Sequence, residues 1–245
     1  MNPAAYVRFE LLRTFRNRRF VILALGFPLV LYLLIAGPER DKHDLGGTGI
    51  SAPLYFMVGL VAFGTMNAVI GAGARISAER SVGWNRQLRL TPLSTRTYFR
   101  TKVLTAYVLA LGTIVLLDAA GISLGVRLSA GNWTQMTGLI LVGLIPFAAL
   151  GILLGHLLGV DSIGPAIGGI TALLSLLGGV WFPISSHGVL HYVAMALPSY
   201  WLVQASHVSL GGSSWGATGW LVVAAWSVAL SVLAGLAYRR DTGRA

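Results

Sequence analysis

Few residues of this 245-residue chain could do chemistry, because only 11% are charged and cysteine is absent. The candidates fall into three groups: Asp118, the histidines at 187, 191 and 207, and the arginine-rich segment 75–102. The lack of cysteine excludes disulfides, thiolate metal sites and a cysteine nucleophile. Each group predicts a different activity.

Asp118 lies inside a long apolar stretch, where an acid is by default a functional candidate. It is either a hydrogen-bonded packing residue or part of a proton path in a proton-driven carrier. At its depth the plausible partners are Tyr32 and Ser175. His156 is excluded, because its offset in the span is ~18 Å along a helix axis.

His187 and His191 are four residues apart and would share a helix face, with His207 as a distant third ligand. A metal-dependent intramembrane enzyme is therefore one alternative, and ordinary polar residues at the membrane surface are the other. The string HGVLH lacks the glutamate of the HExxH metalloprotease motif. We expect no catalytic residue, metal or cofactor in this chain.

Nucleotide binding of the P-loop kind is also excluded, because no GxxxxGK[ST] motif is present and Lys42 and Lys102 are the only lysines. The string LSAGN at Leu128–Asn132 resembles an ATP-binding-cassette signature by chance, since no Walker lysine accompanies it.

Six apolar stretches are long enough to cross ~30 Å of hydrocarbon as helices. They are Phe20–Ala36, Ile50–Ala74, Val103–Val126, Met136–Gly159, Ser162–Phe182 and Trp215–Tyr238. Hydrophobic residues make up 55% of the chain. The fold class predicted is all-α: a polytopic membrane protein with six transmembrane helices.

The basic residues give the orientation. All but Arg40, Lys42 and Arg127 of the 18 Lys and Arg residues fall on one side of the six spans. The positive-inside rule then places both termini in the cytoplasm. The net charge of +10 reflects topology and contact with anionic lipid rather than a nucleic-acid surface.

Two segments outside the spans are predicted to form helices of their own. Residues 1–19 predict an amphipathic helix on the inner membrane surface, with a disordered basic tail as the alternative. Residues 183–214 are apolar and rich in aromatics, and predict one or two short re-entrant helices in the outer leaflet. Reading Val189–Val208 as a seventh span would move the C-terminal arginines outside, so we disfavour it.

The inner loop 75–102 is the longest polar segment, and residues 76–90 can form a short helix that Pro92 ends. Its apolar members exceed what a turn at the membrane surface requires. A short helix held away from the membrane is a means of docking onto a soluble partner.

At these residues the chain resembles the permease subunits of type-2 ATP-binding-cassette (ABC) exporters of the drug- or antibiotic-export kind. The inner-loop matches are Glu79, Arg80, Gly83, Thr91, Pro92, Leu93 and Lys102. The outer matches are Gly178, Gly179, Trp181, Phe182 and Pro183, then Pro198, Tyr200 and Trp201. Two positions depart from the family's pattern. Trp84 stands where a small residue is usual, and Ser186-His187 stands where a proline is common.

The resemblance implies a mechanism. Residues 1–19 would be an interface helix, and 20–245 a six-span type-2 transmembrane domain. Contact with a separate ATPase subunit, which holds the ATP and Mg, would involve Glu79, Arg80, Gly83, Trp84, Leu88, Thr91 and Pro92. The outer matches would gate the pathway, and a second permease copy, identical or not, would complete the transporter in a bacterial plasma membrane.

The cargo is predicted only by class. Spans with so little fixed charge suit a hydrophobic drug, antibiotic, peptide or lipid, while a polysaccharide or lipid-linked glycan stays open.

The sequence also predicts that Gly83→Pro or Glu79→Arg uncouples ATP hydrolysis from export without unfolding the protein. Helix packing through Gly151, Gly155 and Gly159 is favoured over a glycine-lined substrate path.

Overall fold

Helices account for all regular secondary structure in the residues that the computed structural model describes, namely 3–42, 50–84, 87, 90–91, 93–182, 184, 188–207 and 215–243. In chain order they are α1 (Pro3–Arg16), α2 (Arg18–Val21), a π-helical turn (Ile22–Gly26), α3 (Phe27–Ala36), α4 (Ala52–Ala74), α5 (Ile76–Ser81), α6 (Thr95–Ser123), α7 (Ala130–Gly143), α8 (Ile145–Leu157), α9 (Val160–Gly178), α10 (Val189–Met195), α11 (Pro198–His207) and α12 (Ala217–Gly243). The predicted all-α class is confirmed.

Six helical segments of the described chain are long and apolar enough to span a membrane, as predicted. They are Arg18–Ala36, Ala52–Ser81, Thr95–Ser123, Ala130–Leu157, Val160–Gly178 and Ala217–Asp241. The third begins earlier than the sequence suggested, because Ser94 caps α6 by accepting a hydrogen bond from the Thr97 amide at 3.2 Å. The fourth is divided at Leu144, just before Pro146.

The second span is the centre of the bundle. In its most apolar stretch 72% of residues are buried, against 11% in the fifth span. Helix α4 packs on α6 and α8, and α8 in turn packs on α12. The fifth span therefore leaves most of its surface outside this single chain.

Glycines allow α4 and α8 to cross closely. A Cβ at Gly151 would lie 2.6 Å from the Ile70 carbonyl oxygen, and one at Gly155 would lie 2.7 Å from the Gly73 carbonyl oxygen. Gly159, by contrast, meets nothing within 4 Å. Two of the three glycines predicted to pack do so.

Replacing Gly151 with alanine should therefore destabilise the bundle by about 1–3 kcal/mol, because backbone must move to admit the methyl group. Gly138→Ala is the matched control, since a Cβ there meets nothing within 4 Å. Thermal unfolding in detergent should show a lower midpoint for Gly151→Ala and an unchanged or higher one for Gly138→Ala. Equal midpoints would contradict the close crossing.

Two short helices, α10 and α11, occupy the segment between the fifth and sixth spans, but they do not form one continuous helix. Helix α10 ends at Met195 and α11 begins at Pro198. The break argues against a seventh span over Val189–Val208.

The inner-loop helix is interrupted rather than continuous over residues 76–90. Helix α5 ends at Ser81 and Gly83 adopts φ +70°, after which Trp84 and Gln87 are again helical. This left-handed conformation turns the chain, and the Gly83 amide donates back to the Arg80 carbonyl at 3.0 Å. Residues Val82 and Gly83 are thus a turn that projects beyond α5.

Candidate functional site

A buried cluster of charges joins α1, α5 and α6. Lys102 of α6 donates to Glu10 of α1 at 2.6 Å and also to Glu79 of α5. Arg13 completes this charge cluster, which we define as Glu10, Arg13, Glu79 and Lys102, by donating to Glu79 and lying 3.6 Å from Glu10. Two carboxylates thus face two cations.

Burial makes the charge cluster sensitive to the loss of any member. Glu10 is 2% exposed, and Glu79 and Lys102 are each 3% exposed. Charges removed from water are tolerated when they are paired, whereas an unpaired charge left behind is strongly destabilising. The geometry therefore fixes α1, α5 and α6 relative to one another.

Neighbouring groups reinforce the contact between α1 and the rest. Arg75, between α4 and α5, donates to the Thr14 hydroxyl of α1 at 2.6 Å. Tyr6 is fully buried beside the charge cluster, and its burial, aided by the negative charges of Glu10 and Glu79, raises the pKa of its hydroxyl. Helix α1 is thus anchored to the bundle along one face.

Arg80 attaches the other side of α5. Its Nε donates to Asp241 of α12 at 2.9 Å, and its Nη1 donates to the Gly155 carbonyl at 3.2 Å. The other carboxylate oxygen of Asp241 lies 3.1 Å from Nδ1 of His156. A cation at the end of α8 also suits the negative pole of that helix.

Adjacent residues of one short helix therefore make contacts in two directions. Glu79 connects α5 to α1 and α6, and Arg80 connects it to α8 and α12. These contacts connect α5 to four elements, including the third, fourth and sixth spans.

The turn after α5 presents an apolar surface. Val82 is 74% exposed, and Trp84 stacks on Phe9 of α1 with a 6.0 Å centroid separation. The guanidinium of Arg13 lies 5.7 Å from the Trp84 ring. An open cavity of about 330 Å³ lies between α1 and this turn.

Of the other residues predicted to contact a partner, the structure describes only some. Thr91 lies in a second turn beside Leu90, which is 89% exposed. Leu88 and Pro92 lie outside the described residues. Glu79 and Arg80 are engaged in contacts with other helices. Among the described members of the predicted contact Gly83 is partly exposed, and its neighbour Val82, which was not among the residues predicted for this contact, is exposed.

The predicted outer gate is only partly brought together. Gly178 at the end of α9 abuts Ser199 of α11, where a Cβ would come within 3.0 Å of the serine. The Trp181 ring lies 5.4 Å from Phe63 of α4, whereas Phe182 is 70% exposed and apart.

Of the remaining gate residues, Pro198, Tyr200 and Trp201 belong to α11, Gly179 follows α9, and Pro183 lies outside the described residues. Gly179 ends α9 at φ +80°. Pro198 begins α11, and Trp201 donates from its indole nitrogen to the Met195 carbonyl at 2.8 Å. Tyr200 makes an edge contact with His191 at 6.0 Å. Helices α10 and α11 are thereby joined as one outer unit.

The outer histidines do not gather around a common point in the described residues. His207 stacks on Tyr55 at 6.2 Å, and burial lowers the pKa of its imidazole to about 4. His191 contacts Tyr192 and Tyr200 instead, and His187 lies outside the described residues. No cluster of three or more His, Cys, Asp or Glu suited to a metal occurs in the part described.

Asp118 is half-buried on α6, and its Oδ1 has no hydrogen-bond partner among the described residues. Neither expected partner bonds to it. The Tyr32 hydroxyl donates to the Pro53 carbonyl at 3.1 Å, and the Ser175 hydroxyl donates to the Thr171 carbonyl at 2.6 Å. His156 pairs with Asp241 instead of Asp118.

We expect Asp118→Asn to be tolerated, because asparagine keeps the shape and no described group depends on the charge. Transport and assembly should both stay near the parent level in reconstituted vesicles. Loss of transport by a normally assembled variant would give Asp118 a functional role instead.

Three residues of the site were not singled out by sequence reasoning: Glu10, Arg13 and Asp241. A signal was available, because acids are rare on the arginine-rich side of the spans. Glu10, Glu79, Asp161 and Asp241 are the acids there. Such isolated acids are candidates for buried pairs with the surrounding cations.

Two comparisons with known proteins bear on the function of this chain. Residues 4–210 match the family described as ABC-2 type transporter. A Bacillus subtilis (strain 168) protein named as a transport permease, YvfS, is 28% identical over 201 residues, covering 78% of each chain.

Proposed function

Because this chain belongs to the ABC-2 type transporter family, we propose that it is the export permease of a transporter whose ATPase is a separate subunit. The chain is a multi-pass membrane protein and a transporter subunit, not an enzyme. ATP and Mg are used by the ATPase partner. The proposed location is the bacterial plasma membrane, with both termini in the cytoplasm.

The observation that carries the proposal is the attachment of α5. A short helix on the arginine-rich side is held to α1 and α6 through Glu79 and to α8 and α12 through Arg80. Such a helix can convert the movement of a docked subunit into movement of the spans. An ordinary loop at the membrane surface needs no buried attachments of this kind.

The docking surface proposed for the ATPase is the turn after α5 together with α1. Val82 and Leu90 are highly exposed, and Phe9, Leu12 and Phe15 of α1 are each about half exposed. Apolar side chains among arginines suit a groove on a soluble protein. The residues proposed for this contact remain Glu79, Arg80, Gly83, Trp84, Leu88, Thr91 and Pro92. Of these, Glu79 and Arg80 would not touch the ATPase but would hold α5 to the neighbouring helices.

A second permease copy is proposed to pack against the fifth span. Helix α9 leaves most of its surface uncovered within this chain, and a Cβ at Gly164, Gly168 or Gly169 would meet nothing within 4 Å. Small residues four apart let transmembrane helices approach closely. The outer unit of α10 and α11, with Pro198, Tyr200 and Trp201, would then close the outer end of the pathway together with Gly178, Gly179, Trp181, Phe182 and Pro183.

The proposed cargo is a hydrophobic compound, because the spans offer almost no fixed charge. The test is reconstitution of the permease with its ATPase in vesicles. We expect ATP-dependent movement of a hydrophobic substrate, and none when a proton gradient replaces ATP. Transport by the permease alone, driven by protons, would contradict the proposal.

A further inference from the structure

Two mainly apolar furrows lie side by side on the surface of the bundle. The first, of about 300 Å³, runs between α6 and α12 over α8, and its lining includes Tyr107, Ala149, Ile152 and Gly235. The second, of about 450 Å³, lies along α6 and is lined by Phe99, Arg100, Val103, Leu104 and Tyr107.

The furrows share one ridge. Phe99, Val103 and Tyr107 line both, and their spacing of four residues puts them in one row along α6. From Phe99 to Tyr107 the row rises ~12 Å along the axis. A ridge between two apolar furrows of this length fits two acyl chains that share one headgroup.

The lining of the first furrow is mostly apolar, with Ser231 and Tyr107 as its polar residues. The Tyr107 hydroxyl is already satisfied, because it donates to the Leu141 carbonyl at 2.8 Å. Aromatic contacts close the first furrow at one end, where the Phe99 and Tyr238 rings lie 5.0 Å apart.

Arginine stands at that same end. Arg100 lines the second furrow, and Arg96 precedes it by one helical turn on the same face. Both are exposed, and within the described residues neither lies within ion-pair distance of a carboxylate. The acids nearby, Glu10, Glu79 and Asp241, already face other cations.

We propose that this furrow pair is a binding site for one anionic phospholipid, with its phosphate on Arg100 and Arg96 and its chains on either side of the Phe99–Val103–Tyr107 ridge. In the orientation proposed above, the lipid belongs to the inner leaflet. The site does not depend on the export function, since it rests on furrow shape and charge. A cation near the membrane surface favours an anionic headgroup.

The test is native mass spectrometry of the purified chain in detergent, titrated with phosphatidylglycerol and, for comparison, phosphatidylcholine. One phosphatidylglycerol should bind in preference to phosphatidylcholine, and Arg100→Gln should weaken it about fivefold. Arg18→Gln is the matched control, because Arg18 is also exposed at the arginine-rich side but lines neither furrow. Equal losses for Arg100→Gln and Arg18→Gln would overturn the site.

A second pair of variants tests the furrow without changing charge. Gly235→Leu fills the first furrow, and a Cβ there meets nothing within 4 Å, so folding should survive. Gly138→Leu, equally open but on α7, is the control. Phosphatidylglycerol binding should fall for Gly235→Leu only. If Gly235→Leu instead removed a dimer, or left lipid binding unchanged, the proposal would be wrong.

Discussion

Lys102→Met is expected to destabilise the protein by roughly 3–5 kcal/mol, the cost of breaking a buried ion pair by removing one partner. The change leaves Glu10 and Glu79 buried with only Arg13 to balance two negative charges. We expect a large fall in the unfolding midpoint in detergent, and loss of the bound ATPase subunit.

Two control variants make this test specific. Lys42→Met removes an exposed lysine and should change stability by less than about 1 kcal/mol. Adding Glu10→Gln to Lys102→Met restores one carboxylate to one cation, and should recover more than half of the loss. A mild effect of Lys102→Met, or no recovery in the double variant, would contradict a charge-balanced cluster.

Gly83→Pro should uncouple ATP hydrolysis from transport, with a loss of at least about tenfold in transport per ATP hydrolysed. Proline holds φ near −65°, whereas the turn after α5 needs +70°, and proline also removes the amide that donates to Arg80. The exposed turn would be lost, while the buried attachments of α5 stay.

Gly83→Asn is the matched variant, because asparagine tolerates the left-handed region and keeps the amide. It should retain most of the coupling. The measurement is substrate-stimulated ATPase activity together with transport in the same vesicles. Equal behaviour of the proline and asparagine variants would show that the turn is not used. Gly83→Pro and Gly83→Asn must also keep the parent unfolding midpoint.

Burial changes the expectation for Glu79→Arg. The sequence alone predicts an uncoupled but folded variant. In the structure Glu79 accepts hydrogen bonds from Lys102 and Arg13 in a buried position. An arginine there would place three cations together, so we expect loss of folding instead.

The six spans and the importance of the inner loop were predictable from sequence, because apolar runs and arginine placement follow directly from the physics of the bilayer. The partners of Glu79 and Arg80 were not, since Arg13 lies 66 residues from Glu79 and Asp241 lies 161 residues from Arg80 along the chain. Pairing over such separations depends on how the helices pack, which periodicity does not encode.

The length of α5 is a second feature that could not be predicted from the sequence. Residues 76–90 have good helix formers and a stop at Pro92, yet α5 ends at Ser81 and helical backbone returns only after a turn, at Trp84 and Gln87. Glycine at position 83 is compatible with either a helix or a turn, and here it takes the left-handed conformation of a turn. The hydrogen-bond partners predicted for Asp118 were wrong for a similar reason. The depth of Tyr32 and Ser175 in the membrane does not show that their hydroxyls donate to nearby backbone carbonyls instead.

The most direct measurement uses the absence of cysteine, which makes Val82→Cys the sole thiol of the chain. In inside-out membrane vesicles containing the ATPase, we predict that this thiol cross-links to the ATPase, while Ser129→Cys at the opposite side does not. No cross-link to the ATPase, or labelling of Val82→Cys by an impermeant reagent added outside intact cells, would contradict docking at the turn after α5.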